Sequence, residues 1–359
     1  MEVIRGWTHR SFPIGDASRV GEVRRHVVAL ASDMGWGEED MGRSGLVATE
    51  LATNLVRHAR DAEIWIAARP PLHDIEIICV DRGPGIKDIA TAMQDGVSTG
   101  SGSPGTGLGA ISRVADDFFV VSAATGTVSL ARLRQGRRAP SALSLRMGAV
   151  CLAVAPETIS GDAWALRSGA GLAEVLVVDG LGHGPLAGEA ARAAVDVFAS
   201  QNVNVNVNGS GSGSGSGNES GAADAAMPLG EFVAQAHAAL RGTRGAALLA
   251  VRFGAQAVHS CGAGNISGRL FNGVASLSLS SQHGTAGVQI SRPRVADCSS
   301  LDHGVLVLHS DGVSARWKHE DYAGLLGRDA GLLAACLLWH NTRSRDDATV
   351  VVLKAEEEQ

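Results

Sequence analysis

The sequence predicts an α/β (α+β) protein built as two domains. Three observations lead there. The chain has 359 residues with 45% hydrophobic and 19% charged content, enough for two separate cores. Its first third alternates helix-period segments with strand-period segments, and the remainder is richer in strands. The two parts meet at a polar, basic, Pro-containing stretch, "RQGRRAPSALS", which sets the domains at 1–134 and 146–359 with a linker at 135–145.

The elements follow in order. "DASRVGEVRRHVVALASDM" (16–34) places Val20, Val23, Val27, Leu30 and Met34 near one helical face, with Asp16 or Ser18 as cap. "EEDMGRSGLVATELATNLVRHA" is a second helix with Leu46, Leu51 and Leu55 as its apolar residues. Two alternating strands, "AEIWIAAR" and "DIEIICVD", come next. A Gly/Ser-rich loop then opens the short helix "LGAISRVAD", and "FFVVSA" with "TVSLARL" forms a hairpin. Beyond the linker the strands are "MGAVCLAVAP", "DAWALRS" and "AEVLVVDG", before a helix, "PLAGEAARAAVDVFAS". Residues 201–225 are Asn-Val and Gly-Ser repeats and read as a flexible insertion joining that helix to "LGEFVAQAHAALRG". Four more strands, the core helix "GLLAACLLWHNT" and the final strand "DATVVVLK" complete the chain.

The bulk numbers exclude some function classes. A net charge of −6 without a Lys/Arg cluster argues against nucleic acid or an anionic membrane as partner. No basic and apolar leader opens the sequence and no apolar run reaches bilayer length, so a cytoplasmic protein is expected. Cys79, Cys151, Cys261, Cys298 and Cys336 form no CxxC and read as buried, reduced thiols. With aromatics at 4%, the cores are expected to rest on Ala, Val and Leu.

Three motifs of the first domain belong together. Glu50 and Asn54 stand four apart in "ELATN", on one helical face. "DRGPG" supplies Asp81, Gly83 and Gly85 at a strand end. "GTGLG" supplies Gly105, Gly107 and Gly109 at a helix start, where backbone N–H groups can hold phosphate. A helix-borne Asn suits hydrated Mg²⁺, and a neighbouring Glu can orient or deprotonate a nucleophile. With these motifs, residues of about 10 to 134 resemble the GHKL ATPases, in the branch of small anti-sigma and switch kinases of the RsbT type. The resemblance implies a Bergerat-type α/β sandwich that binds ATP with Mg²⁺. It implies Asn54 as the magnesium ligand, Glu50 as the activating carboxylate and Asp81 as the acceptor for the adenine amino group. It implies the five glycines as nucleotide contacts, and phosphoryl transfer to a serine of a STAS-domain partner.

In the second domain, acids stand at strand ends: Asp162 in "SGDAW", Asp179 in "VVDGLGHG", Asp311 in "HSDGV" and Asp346 with Asp347 in "SRDDATV". Crowded carboxylates repel unless cations neutralise them, and oxygen ligands with water suit Mg²⁺ or Mn²⁺. Two such ions can activate water for in-line attack on phosphorus, with no covalent nucleophile from the protein. With "TRGAALLAV" and "GAGNISGRL", the set resembles the PPM metal-dependent Ser/Thr phosphatases of the SpoIIE and RsbX branch over roughly 146–354. That resemblance implies an αββα sandwich holding two Mn²⁺ or Mg²⁺ through Asp162, Asp179, the Gly180 carbonyl, Asp311 and Asp346. It implies Asp179 as the bridging catalytic carboxylate, Asp347 as secondary, and phosphoserine on a STAS antagonist as substrate. His183 stands open between general acid and turn residue. The other histidines have no zinc spacing.

The leading reading is a bifunctional switch enzyme in which kinase and phosphatase act in opposition on one STAS protein. A second is a phosphatase governed by a nucleotide-sensing or partner-binding domain. A third is an anti-sigma factor, with a sigma factor or another output protein as partner.

Overall fold

The computed structural model describes residues 2–93, 107–138, 145–169, 172–201 and 227–355. The expected insertion at 201–225 therefore lies almost wholly outside the described residues, as does Gly105.

The first part contains β1 (Glu2–Arg5), β2 (Arg10–Ile14), α1 (Ser18–Asp33), α2 (Glu38–His58), β3 (Ala62–Arg69) and β4 (Asp74–Val80). It continues with α3 (Ile89–Ala92), α4 (Leu108–Val114), β5 (Asp117–Ala123) and β6 (Gly126–Arg134). The second contains β7 (Leu145–Leu152), β8 (Asp162–Gly169), β9 (Leu172–Gly180), α5 (Pro185–Ser200), α6 (Leu229–Ala239), β10 (Ala246–Gly254) and β11 (Ala257–Ala263). Then come β12 (Ser267–Phe271), β13 (Ser276–Ser280), β14 (Gly284–Thr285), β15 (Gln289–Ile290), β16 (Ala296–Ser299), β17 (Val305–His309), α7 (Ala330–Asn341) and β18 (Ala348–Ala355).

Three large antiparallel sheets carry the fold, ordered β2-β3-β4-β6-β5, β13-β12-β17-β18-β7 and β1-β8-β9-β10-β11-β16. Helices α1 and α2 bury Val23, Val27, Val47, Leu51 and Leu55 on Ile64, Ile66, Ile75 and Ile77 of the first sheet. Leu46 points the other way and is 50% exposed, so the expected apolar face is instead Val47, Ala48, Leu51, Ala52 and Leu55. The second and third sheets pack face to face through Trp164, Val175, Val177, Leu249, Leu306, Leu308 and Val351. Helices α5 and α6 cover the outer face of the third sheet. The second domain is thus an α/β sandwich with helices on both outer faces.

Two features depart from the sequence reading. No strand was expected before residue 16 and residues 1–134 were assigned to the first domain, but β1 pairs antiparallel with β8, Glu2 opposite Ser168 and Arg5 opposite Ala165. The chain therefore begins as an edge strand of the second domain. It crosses through Trp7, whose ring meets Trp164 edge-on at 4.6 Å, and His9, whose N–H donates to the Cys151 carbonyl, before entering β2.

The second departure is β4. Its sequence alternates, yet all seven residues are buried. The reason is α7, which lies between the first and second sheets. Trp65, Ile78, Val80, Val128 and Leu130 from one side and Val150, Val305, Val307, Val350 and Val352 from the other enclose it. A helix apolar all round is a buried helix, and Ala330 to Trp339 are buried without a break. The cysteines are all free, and Cys298 is half-buried where full burial was expected.

Candidate active sites

The first site sits at one end of the first sheet. Glu50 and Asn54 are half-buried on α2, while Leu51 and Leu55 fix that helix to the sheet. Asp81 follows β4 directly, where pairing with β3 on one side and β6 on the other holds the strand. It is buried, and its Oδ1 accepts the Gly83 N–H at 2.7 Å. Burial pushes the Asp81 pKa up, and bonds from the Gly83 and Thr127 backbones pull partly back. Gly85 has φ +73°, and a Cβ there would lie 2.0 Å from the Ala123 carbonyl oxygen, so only glycine makes this turn. Gly107 caps α4, and among the described residues no atom lies within 4 Å of a Cβ placed on it. Gly109 is buried inside that helix. A buried carboxylate, a carboxamide on the neighbouring helix and glycine backbone at a helix start suit a purine nucleotide whose phosphates carry a hydrated Mg²⁺.

The second site lies where β8 and β9 of the third sheet approach β17 and β18 of the second. Asp162 and Asp179 are directly opposite each other in the β8–β9 register. Like charges in that relation destabilise a sheet. Burial, then the charges of Asp162, Asp311, Asp346 and Asp347, push Asp179 up to about 9. Burial likewise pushes Asp162 up to about 7, against a hydrogen bond from Ser310 and with Asp347 and Asp346 adding to the rise. Asp162 Oδ2 accepts the Ser310 hydroxyl at 2.6 Å, but its buried Oδ1 has no partner among the described residues. Asp311 follows β17 by two residues, and its Oδ2 accepts from the Asn265 carboxamide. Burial, then Asp346, raise it, and Arg343 opposes them.

Crowded carboxyls with an orphaned oxygen fit hard divalent cations. Among the described residues no three His, Cys, Asp or Glu side chains close around one point. Gly180 has a further reason to be glycine: a Cβ there would lie 2.1 Å from the Ala187 carbonyl oxygen, so the strand end fits against α5 only without a side chain.

Asp347 has a different role from Asp346. It is buried, and its two oxygens accept the Val154 and Gly161 N–H groups at 2.7 Å each. It therefore fixes the turn that presents Asp162. Asp346 is half-buried, and its Oδ1 accepts the Asp347 N–H. His183 is exposed, with Nδ1 3.3 Å from Glu157 Oε1. Sequence reasoning missed Ser310 and Asn265, although both stand inside quoted motifs. Their polar side chains beside a strand-end acid were the available signal.

Residues 15–132 match the histidine kinase-like ATPase domain family. Over 97 residues the chain is 38% identical to the serine/threonine-protein kinase RsbT of Bacillus subtilis (strain 168), covering 26% of this chain and 72% of that protein. The chain belongs to the histidine kinase-like ATPase family. Its ATPase-like domain occupies the first sheet with α1, α2 and α4, so Glu50, Asn54, Asp81 and the described glycines all lie in the matched region. Two solved structures are similar to the chain beyond it. RsbX in complex with magnesium is 16% identical, covering 59% of this chain and 96% of that one at TM-score 0.48. The Mycobacterium tuberculosis serine/threonine phosphatase PstP/Ppp is 17% identical, covering 59% and 99% at TM-score 0.42. No helix among the described residues is long and apolar enough to cross a membrane.

Proposed function

We propose that this chain is a partner-switching regulator that phosphorylates a serine through its ATPase-like domain and dephosphorylates it through the metal-dependent centre of its second domain. The observation that carries the phosphatase half is the in-register pair Asp162 and Asp179, with Asp311 and Asp346 arriving from the facing sheet. The charges of Asp162, Asp311 and Asp346 all act on Asp179, and divalent cations would relieve that repulsion. Bound there, the ions would activate water and neutralise phosphoryl oxygens. The residues then divide the work. Asp179 at the end of β9 would bridge the ions, with the Gly180 carbonyl, Asp162, Asp311 and Asp346 as the further ligands. Ser310 and Asn265 orient two of these carboxylates, and Asp347 holds the Gly161 turn.

The kinase half rests on Glu50, Asn54 and Asp81 within the family match, and on 38% identity to a protein named as a serine/threonine kinase. Asp81 would receive the adenine amino group, Asn54 would hold the Mg²⁺ of ATP, and Glu50 would orient the seryl hydroxyl. A STAS-domain antagonist is the partner class the reading implies.

Phosphorylation of such a partner, incubated with ATP and Mn²⁺ and weighed intact, tests both halves. A mass gain is expected with Asp179→Ala and not with Asp179→Ala/Glu50→Ala. The wild type should strip a pre-phosphorylated partner. No gain with any variant, alongside wild-type dephosphorylation, would replace the kinase with a nucleotide-sensing domain. One contact favours that second reading: the Asp81 carbonyl accepts the indole N–H of Trp339 on α7 at 3.3 Å, joining the nucleotide strand to the second domain.

A further inference from the structure

A basic concavity borders the metal centre and is used by neither site. It is lined by Ser314, Arg316, His340, Asn341, Thr342 and Arg343 and has a volume of about 500 Å³. It lies at the end of α7, beside the loop that carries Asp311. The Arg343 N–H donates to the Gly312 carbonyl at 2.9 Å, one residue beyond Asp311.

The sign of this concavity is set by its side chains. A helix C-terminus ordinarily presents carbonyls and partial negative charge. Here those carbonyls are occupied: Leu337 O accepts from Asn341 Nδ2, Leu338 O from the Thr342 N–H, and Asn341 O from the Ser314 N–H. Burial, then the Arg82 charge, lower the His340 pKa, so its ring adds no positive charge near neutral pH. Arg316 and Arg343 are exposed, and among the described residues neither forms an ion pair with a carboxylate. Two exposed guanidiniums without a close carboxylate partner among the described residues, next to the proposed metal-binding loop, suit an anionic ligand. The concavity is open, which suits an extended chain segment more than an enclosed small molecule.

We propose that Arg316 and Arg343 form a specificity subsite that grips acidic side chains flanking the phosphoserine of a protein substrate while the phosphoryl group occupies the adjoining carboxylate centre. This rests on the phosphatase reading above. The two arginines are positioning residues that select the segment and hold its register.

The test uses the full chain with Mn²⁺ and three substrates: p-nitrophenyl phosphate, a phosphoserine peptide flanked by Asp and Glu, and the same peptide flanked by Ala. The wild type is expected to favour the acidic peptide by about tenfold in kcat/KM, mainly through KM, and less in high salt. In Arg316→Glu/Arg343→Glu the preference should vanish or invert, while Arg316→Lys/Arg343→Lys should keep part of it. Equal use of both peptides by the wild type, or a preference that survives charge reversal, would overturn the proposal. If the wild type cleaves none of the three, the phosphatase reading fails by itself. Fluorescence anisotropy of the labelled acidic peptide then decides the subsite: salt-sensitive binding lost on charge reversal supports it, and absence of binding rejects it.

Discussion

Asp162 and Asp179 show how facing buried acids are kept at the expense of stability. Both carboxyls sit where burial and neighbouring acids favour the protonated form, Asp162 rising to about 7 and Asp179 to about 9. In the metal-free protein the folded chain therefore holds protons that the unfolded chain releases above roughly pH 4. Their contribution to stability is complete below that pH and is lost as pH rises through about 7 and then about 9. Thermal unfolding in EDTA should show Tm falling from about pH 4 to about pH 9, with Mn²⁺ restoring more at the alkaline end, where ions compete with fewer protons. Asp179→Asn removes one charge from the cluster and should stabilise the metal-free protein at alkaline pH by roughly 1–2 kcal/mol while weakening Mn²⁺ binding. A flat Tm profile in EDTA, with Asp179→Asn no more stable than wild type, would refute this account. The acids were legible in the sequence because each stands at a strand end or in a turn beside a strand and meets glycine or another acid. That Asp162 and Asp179 are direct neighbours was not legible, since register between β8 and β9 depends on pairing that no motif states.

Helix α7 is the element that joins the two chemistries. Its Trp339 ring lies 6.0 Å from that of Trp65 and stacks under the Arg82 guanidinium at 4.5 Å. Its indole N–H reaches the Asp81 carbonyl. Two residues later, the Asn341 carbonyl accepts from Ser314 in the segment that follows Asp311. Trp339→Ala removes a buried ring and should cost about 3–5 kcal/mol, read by urea unfolding. It should also weaken nucleotide binding several-fold in a fluorescent-nucleotide titration, because the backbone of Asp81 loses its lateral support. Trp339→Phe keeps most of the ring contact and loses the hydrogen bond, so about 1 kcal/mol is expected. Equal losses in the two variants would remove the hydrogen bond from the argument, and unchanged nucleotide affinity in both would remove the support role. The run "LLAACLLWH" identified a core helix, as observed. Its partners were not legible: "DIEIICV" alternates in chemistry, and only the presence of α7 on the second face of the sheet explains why Ile78 and Val80 are also buried. Glu76 is part of the same effect. Burial pushes its carboxyl up, but Arg69, Arg132 and His9 hold it well below the ordinary range.

At the scale of the molecule, three links make one body of two domains. Strand β1 completes the third sheet before the chain enters the first. Helix α7 fills the space between the first and second sheets. Arg132 on β6 bonds Asp329 at 2.7 and 2.8 Å and Glu76 at 2.8 Å. Asp329 also caps α7, accepting the Gly331 and Leu332 N–H groups. One carboxylate thus both starts the helix and ties it to the ATPase-like domain. Calorimetry of the full chain should give one endotherm, because separating the domains would expose both faces that enclose α7. Asp329→Ala leaves Arg132 short of a buried partner and the helix without its cap, at about 3–5 kcal/mol. Asp329→Asn keeps an acceptor for the cap and should lose less. Burial raises the Asp329 pKa, but Arg132 outweighs it and the net shift is downward. The pair's contribution is therefore present above the ordinary carboxylate pKa and is lost as pH falls through the lowered one, so the gap between wild type and Asp329→Asn should close in acid. Two endotherms in the wild type, with only one of them moved by Asp329→Ala, would mean that the domains unfold independently and that α7 does not weld them.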